Sequence, residues 1–309
     1  MAIRFAVTRQ DNIVTDAEIV RYRRDGFVLP KTCLSEDDTA MLQEAVERVL
    51  HDNPDWHNLL RMPHIPARDG QDEGVIGGEE LFKIALHPTL ISVARRLVGP
   101  NVIMWGGEIF AKPPSIGKAT PWHQDNYTPN VKPGPERSSA ASAMIWIAVD
   151  NVDKENGCLR FIPGSGRSGT LGHSSHQDAG KMLNFEVDTK QIDESQAVDA
   201  ELKSGHFSVH DPYVVHGANA NTSGRRRAGL TFHYMAAEDI YDRSFGVAYG
   251  SGRNKAAQVG RRPIWLVSGE NRHPDNDFAV GHQSLEDLDA YAEDVRLEIN
   301  RQHASRVTA

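Results

Sequence analysis

The chain has 309 residues, of which 39% are hydrophobic and 25% charged, with a net charge of −8, and it is long enough to bury a substantial core. That acidic balance argues against a nucleic-acid partner, which needs a concentrated basic surface, and leaves a small soluble molecule as the default ligand. Two cysteines, Cys33 and Cys158, exclude a disulfide framework and a cysteine-rich zinc site and fit a reducing cytoplasm. No apolar run approaches the roughly 20 residues of a membrane span, and the start from Met1 to Thr8 is too short and too soon polar for a signal peptide.

In chain order, Thr15-Asp16-Ala17-Glu18 has the form of a capping box and opens a short helix ending near Gly26. Phe27 to Pro30 reads as a short strand. Ser35-Glu36-Asp37-Asp38 starts a second helix, with Leu42, Ala45, Val46, Val49 and Leu50 at helical spacing, that ends before Asn53-Pro54. Residues 52–80, rich in proline, glycine and charge, read as a long loop carrying Arg61, His64 and Arg68. Pro88 and Gly99-Pro100 bracket a helix from Thr89 to Val98. From residue 101 the pattern changes to short apolar runs punctuated by turn residues. Strands are expected over Val102 to Ala111, Ser142 to Asp150, Cys158 to Ile162, Phe207 to Val215 and Ala228 to Met235. Between Gly164 and Asp199 the polar sequence suggests a lid or rim loop carrying one strand near Met182 to Phe185. A closing helix is expected over Ser284 to Arg301. The whole predicts helices first, then an antiparallel β-sandwich or barrel, then a helical tail.

Within this frame Trp122-His123-Gln124-Asp125 draws attention, because residues two apart on a strand point the same way, so His123 and Asp125 would converge on one point. The His-x-Asp pattern occurs three times, also at His176/Asp178 and His273/Asp275, in a chain with 14 histidines. Context separates them: His176 lies in the polar loop, and the proline beside His273 disfavours a paired strand. His216, placed at the end of the run from Phe207 to Val215, is the expected third ligand, since the span from Asp125 to it has room for several strands. Arg227 follows after a turn built from Asn219, Asn221, Ser223 and Gly224, and two strands joined there would bring the arginine close to the histidine. Alternation puts Arg225 and Arg227 on one face and Arg226 on the other. Two imidazoles and a carboxylate leave half of a metal's coordination sphere open, as in non-haem Fe(II) oxygenases. A zinc site with a bound water as nucleophile is the other outcome. An arginine fork suited to a carboxylate favours iron with an organic acid as chelator.

Together these segments resemble the phytanoyl-CoA dioxygenase family of Fe(II)- and 2-oxoglutarate-dependent oxygenases over about residues 16–268. The similarity is carried by Asp25-Gly26-Phe27-Val28, Gly99-Pro100-Asn101, Lys112-Pro113-Pro114, Trp122-His123-Gln124-Asp125, the run Asn156-Gly157-Cys158-Leu159 to Pro163-Gly164-Ser165, and His216-Gly217 with Asn221, Ser223 and Arg227. Two positions depart from it: Gly166 stands where the family has histidine, and Ala218 where it often has a serine that helps hold the 2-oxoglutarate carboxylate. Thr231, on the same strand face as Arg227, is the candidate replacement for that hydroxyl.

The resemblance implies a mainly β fold with flanking helices around a double-stranded β-helix (jelly-roll, cupin-like) core. As a single domain over 1–309 it would comprise a helical and loop region (1–100), the core (101–238) with a lid at about 165–199, and a C-terminal extension and helix (239–309). It implies a metal site of His123, Asp125 and His216 and a 2-oxoglutarate site of Arg227, Trp146 and Thr231, with Trp122, Asn126 and Tyr127 as substrate walls. It further implies O2 as co-reactant, ascorbate as a supporting reductant, and hydroxylation of an unactivated C–H bond with release of succinate and CO2. Because Asp125 is present, halogenation, in which a small residue frees a site for chloride, is the poorer reading. A zinc hydrolase or isomerase on a similar barrel, and a non-catalytic binding protein with a residual metal site, remain as rivals.

Overall fold

The N-terminal capping signals take effect where the sequence puts them. In α1 (Asp16–Asp25) the Thr15 side chain and Glu18 close a complete capping box, and Gly26 ends the helix in the left-handed conformation at φ 83°, its N–H bonded to the Tyr22 carbonyl. Ser35 caps α2 (Glu36–Asp52), and Pro88 opens α4 (Pro88–Val98). The computed structural model describes residues 13–54, 58–67, 74–127, 130–244, 258–278 and 280, so the helix expected over Ser284 to Arg301 lies outside the described residues. Among the described residues no helix is long and apolar enough to cross a membrane.

The described residues between 52 and 80 hold regular elements where a loop is expected. β2 (Leu59–Arg61) pairs with β3 (Val102–Lys112) in a register that sets Arg61 opposite Glu108, and α3 (Gly78–Ala85) follows. The helix escaped its sequence signals because Gly77 caps it without a side-chain bond and it runs for only eight residues, with Leu81, Phe82, Ile84 and Ala85 buried.

The β-rich part forms two sheets. The larger holds seven strands in the order β1 (Phe27–Val28), β11 (Phe207–His210), β6 (Ser142–Ala148), β13 (Arg227–Ala236), β3 and β15 (Trp265–Ser268), with β2 also on β3. The smaller has the order β10 (Val198–Ala200), β7 (Leu159–Phe161), β12 (His216–Ala218) and β4 (Thr120–His123). All their pairings are antiparallel. The expected strand from Phe207 to Val215 therefore ends at His210, and a separate strand in the other sheet, β12, begins at His216. Pro212 has no N–H to give a ladder, and Asp211 turns the chain by accepting the Tyr213 N–H at 2.8 Å. A hairpin of β8 (His173–Ser175) and β9 (Phe185–Val187) lies in the lid region, and β5 (Val131–Lys132) pairs with β14 (Ile240–Tyr241).

Strand alternation divides β13 between two environments. Ala228, Leu230, Phe232 and Tyr234 join the large hydrophobic core with the helices, where the Tyr234 hydroxyl donates to the Ala85 carbonyl at 2.7 Å. Arg227, Thr231 and His233 face the other way, into the space between the sheets. Gly229 shares that inner face because the Trp146 indole from β6 lies across it: a Cβ there would stand 1.8 Å from an indole carbon. Gly229→Ala is expected to lower stability by about 1–3 kcal/mol through overpacking, read as a drop in the urea midpoint. Gly224→Ala, with nothing within 4 Å of its added carbon, should leave the midpoint unchanged.

Candidate active site

The smaller sheet positions two histidines directly across from each other: His216 of β12 is the register partner of His123 of β4. Each is locked in one tautomer. His123 Nδ1 lies 2.9 Å from the Pro121 carbonyl and His216 Nδ1 lies 3.1 Å from the Val214 carbonyl. A carbonyl can only accept, so Nδ1 carries the hydrogen and Nε2 presents its lone pair. Between the two Nε2 atoms sits Asp125 Oδ1, 3.7 Å from His123 and 3.8 Å from His216. The three ligand atoms lie within 4.8 Å of one another. Burial depresses both imidazoles, His216 well below its usual value. At Asp125 burial works against the charge, yet His216, His210 and His123 outweigh it and hold the carboxyl well below the usual carboxylate range. A neutral imidazole pair facing a carboxylate is the protonation state in which all three groups bind a cation.

Asp125 does not reach this position as part of a strand. β4 ends at His123, and Asp125 opens a 3-10 turn, Asp125–Tyr127. The intervening Gln124, fully buried, bolts the turn in place: its amide donates to the Gly169 and Tyr213 carbonyls and its oxygen accepts the Leu171 N–H at 2.7 Å. The other Asp125 oxygen, Oδ2, is 3.2 Å from Nε2 of His210 on β11. Sequence reading passed over both residues. The signal available for His210 was the alternation Phe207, Ser208, Val209, His210, which puts a histidine on the inner face of a buried strand. Within the pairs His176/Asp178 and His273/Asp275 the histidine Nδ1 accepts the aspartate's own backbone N–H in a local turn, and neither pair belongs to a group of three ligands among the described residues.

Around the three ligands lie two adjoining chambers that share Glu108, Phe110, His123, Asp125 and His233. The first reaches Arg227 and is also lined by Trp146, Thr231 and His210. Arg227 is 1% exposed, its Nε donates to the Gly157 carbonyl at 2.9 Å, and its guanidinium stacks on Trp146 at 4.8 Å. Both its terminal nitrogens, the Trp146 indole nitrogen and the Thr231 hydroxyl are buried without a hydrogen-bond partner. Burial lowers the guanidinium only to about 10, so it stays charged, while burial and that neighbouring charge bring Lys112 down to about 6. Proximity of Arg227 to His216 does not come from strand pairing, since β12 and β13 belong to different sheets; they meet across the space between them. The other arginines are surface residues: Arg226 forks onto Asp150, and Arg225 reaches Asp153 at 2.7 Å. β13 begins at Arg227, so the alternation expected to align Arg225 with it does not extend that far. Ala218 packs in the same small hydrophobic cluster as Trp146.

The second chamber is lined by Arg61, Trp105, Asn130 and Arg262 as well as by Leu183 and Phe185 from the lid region. Of the expected substrate walls, none lines it. Trp122 points to the opposite face of β4, where it packs on Ile162, Val187 and Val215 under the Arg160 guanidinium. Asn126 bonds Thr170 and borders a smaller cavity, and Tyr127 stacks on His173 and Phe185. His64, from the 52–80 segment, is fully buried against Phe232 and Trp265.

Comparison with known proteins gives these residues a setting. The family model for phytanoyl-CoA dioxygenase matches residues 22–229. The peroxisomal phytanoyl-CoA dioxygenase of Mus musculus is 24% identical over 248 residues, covering 76% of this chain and 72% of that protein. An ectoine dioxygenase of Sphingopyxis alaskensis is 25% identical over 250 residues, covering 77% and 81%. In fold, the chain is similar to EctD from S. alaskensis, solved with 2-oxoglutarate and 5-hydroxyectoine, at a TM-score of 0.60 and 20% identity over 87% of this chain and 88% of that one. With a family model matching well over half its length, the chain belongs to the phytanoyl-CoA dioxygenase family of Fe(II)/2-oxoglutarate-dependent oxygenases.

Proposed function

We propose that the protein hydroxylates an unactivated C–H bond of a small metabolite, with His123, Asp125 and His216 holding Fe(II) and Arg227 receiving the far carboxylate of 2-oxoglutarate. The observation that carries this reading is the unpartnered polar end of the first chamber. Two guanidinium nitrogens, an indole N–H and a hydroxyl, all buried and without partners, fit a carboxylate in number and kind. Thr231 there takes the place of the hydroxyl lacking at Ala218. The nearby stacking of Trp146 on the guanidinium keeps its plane fixed, so the fork is set before the acid arrives.

When bound, iron and 2-oxoglutarate supply the oxidising chemistry, in which 2-oxoglutarate, O2 and a substrate C–H yield succinate, CO2 and an alcohol. The protein's own residues do the rest. Pro121 and Val214 fix the tautomers of the two histidines, and His210 holds Oδ2 of Asp125, leaving Oδ1 for the metal. Gln124 ties the ligand turn to the lid, so a displacement of the lid is felt at Asp125. A cytoplasmic location suits the unpaired cysteines, Cys33 exposed and Cys158 buried. A zinc hydrolase would use the same three ligands, but it gives no account of a buried arginine with open donors at the far end of the chamber.

Asp125→Ala is expected to abolish conversion of 2-oxoglutarate to succinate with Fe(II) and ascorbate present; turnover at the wild-type rate would sink the ligand assignment. Arg227→Gln should weaken 2-oxoglutarate binding by roughly 10- to 100-fold, the worth of a charge-assisted hydrogen bond, measured by calorimetry under argon, with iron content unchanged. For His210→Phe the expectation is a loss of about 10- to 100-fold in metal affinity, partly restored in His210→Gln, which can still donate to Asp125. Equal metal affinity in His210→Phe and wild type would remove His210 from the site.

A further inference from the structure

A second cationic side chain is buried beside Arg227. Lys112 of β3 is the register partner of Arg227 on β13, and side chains directly opposite on antiparallel strands start about 5 Å apart on one face. Lys112 is fully buried, and its amine donates to the carbonyls of Ala218 and Asn219 at the end of the ligand strand β12. Arg227 donates to the Gly157 carbonyl, and a Cβ on Gly157 would stand 2.5 Å from the Asn219 carbonyl oxygen, so the anchors of the two side chains adjoin. Of the titratable groups packed around them, Cys158 is a neutral thiol, pushed up to about 11 by burial, and Asp150 is taken by the Arg226 fork. Among the described residues neither Lys112 nor Arg227 has a carboxylate partner.

Two like charges buried together without an anion do not both persist, and intrinsic basicity decides which yields. A guanidinium keeps its proton far above neutral pH, whereas a buried amine sheds it readily. Lys112 therefore rests as the neutral amine, held at about 6 by burial and by the Arg227 charge. A carboxylate on Arg227 cancels the repulsion and adds an attraction. Resting on the oxygenase reading above, we propose that Lys112 belongs to the 2-oxoglutarate site and takes up a proton from solvent as the far carboxylate settles on Arg227. No bond of 2-oxoglutarate is made or broken in this step: an anion and a proton enter the buried cluster together. Succinate retains that carboxylate, so the proton is held until the product leaves and is then returned to solvent. Because the amine is anchored on Ala218 and Asn219, two and three residues beyond His216, its protonation also strengthens the bonds that hold the ligand strand.

A ligand that raises the pKa of Lys112 binds best where the amine is already protonated, so affinity is highest below the free-state value and falls as pH rises through it. A rise of one unit gives a maximum uptake of about half a proton and roughly a fivefold loss of affinity between about pH 6 and 8. The test titrates full-length protein loaded with Fe(II), under argon, with 2-oxoglutarate in two buffers of unlike ionisation enthalpy, whose difference in heat counts the protons. Wild type should take up at least about a third of a proton at its maximum. Lys112→Gln, whose amide can still donate to Ala218 and Asn219, should take up less than about a tenth and bind with little pH dependence. No uptake by wild type, or equal uptake by Lys112→Gln, would overturn the proposal, and the wild-type result decides even where the variant fails to fold. Urea unfolding reads the resting state without ligand: an amine neutral when folded and charged when unfolded makes wild type gain stability with pH over about 6 to 10. Its midpoint should climb against that of Lys112→Gln, and a flat difference would likewise overturn the proposal. A climbing midpoint in a protein that binds no 2-oxoglutarate would instead strike the oxygenase reading, and the site for this acid with it, leaving Lys112 the neutral neighbour of Arg227.

Discussion

A guanidinium buried in a protein interior has to be compensated, and the inner end of this barrel is built around one that the protein itself only partly satisfies. Arg227 donates from Nε to a backbone carbonyl and lies on an indole, but its two outermost nitrogens face a cavity with no acceptor among the described residues. Leaving a buried charge with open donors costs several kcal/mol in general, and a structure that carries such a cost without a ligand to relieve it would be poorly stable. The organic acid proposed above would relieve it on entering the chamber. The same burial that makes the empty arrangement unfavourable makes the bound one tight, because the pair forms where water does not compete.

The fold delivers this by the simplest rule of a β-strand. β13 is buried along its whole length, so its alternation separates two interiors instead of an inside from an outside. One row of side chains packs on the helices and the other forms the wall of the site. Cross-strand pairing extends the inner row: Thr231 lies opposite both Trp146 and Glu108, and Met144 is opposite both His210 and His233. The facing small sheet contributes the two histidine ligands as register partners. Slippage of either sheet by one residue would turn its whole row away from the cavity.

How much of this could be read beforehand depended on whether a feature is local. Helix caps are written in four consecutive residues, and Thr15, Ser35 and Pro88 were found from them. Long alternating strands such as β3 and β13 were equally plain. His123, Asp125, His216 and Arg227 were selected from spacing and context, and they converge on one cavity, although for other reasons than those that selected them: Asp125 stands on a turn, and the histidine and arginine meet across sheets. α3 and β12 were missed because each is short and held by packing, with no start signal of its own. Gln124, His210 and Glu108 were missed because their contacts exist only in three dimensions. Trp122 was misplaced because it adjoins a ligand in sequence, and on a strand that neighbour points the opposite way.

Glu108 shows why such residues matter to the chemistry. It lines both chambers beside the metal ligands, and burial raises its carboxyl, with Arg61 pulling the other way. A free carboxylate at that place would compete for the positions that a facial triad must keep open for its small-molecule partners. Its carboxylate is paired with Arg61, and Glu108 lies outside the group of ligand atoms that converge. The arginine of that pair comes from β2, a strand hidden in what the sequence presents as loop. The wall beside the ligands is thus built in part from the N-terminal region, through a short strand that joins the larger sheet at β3.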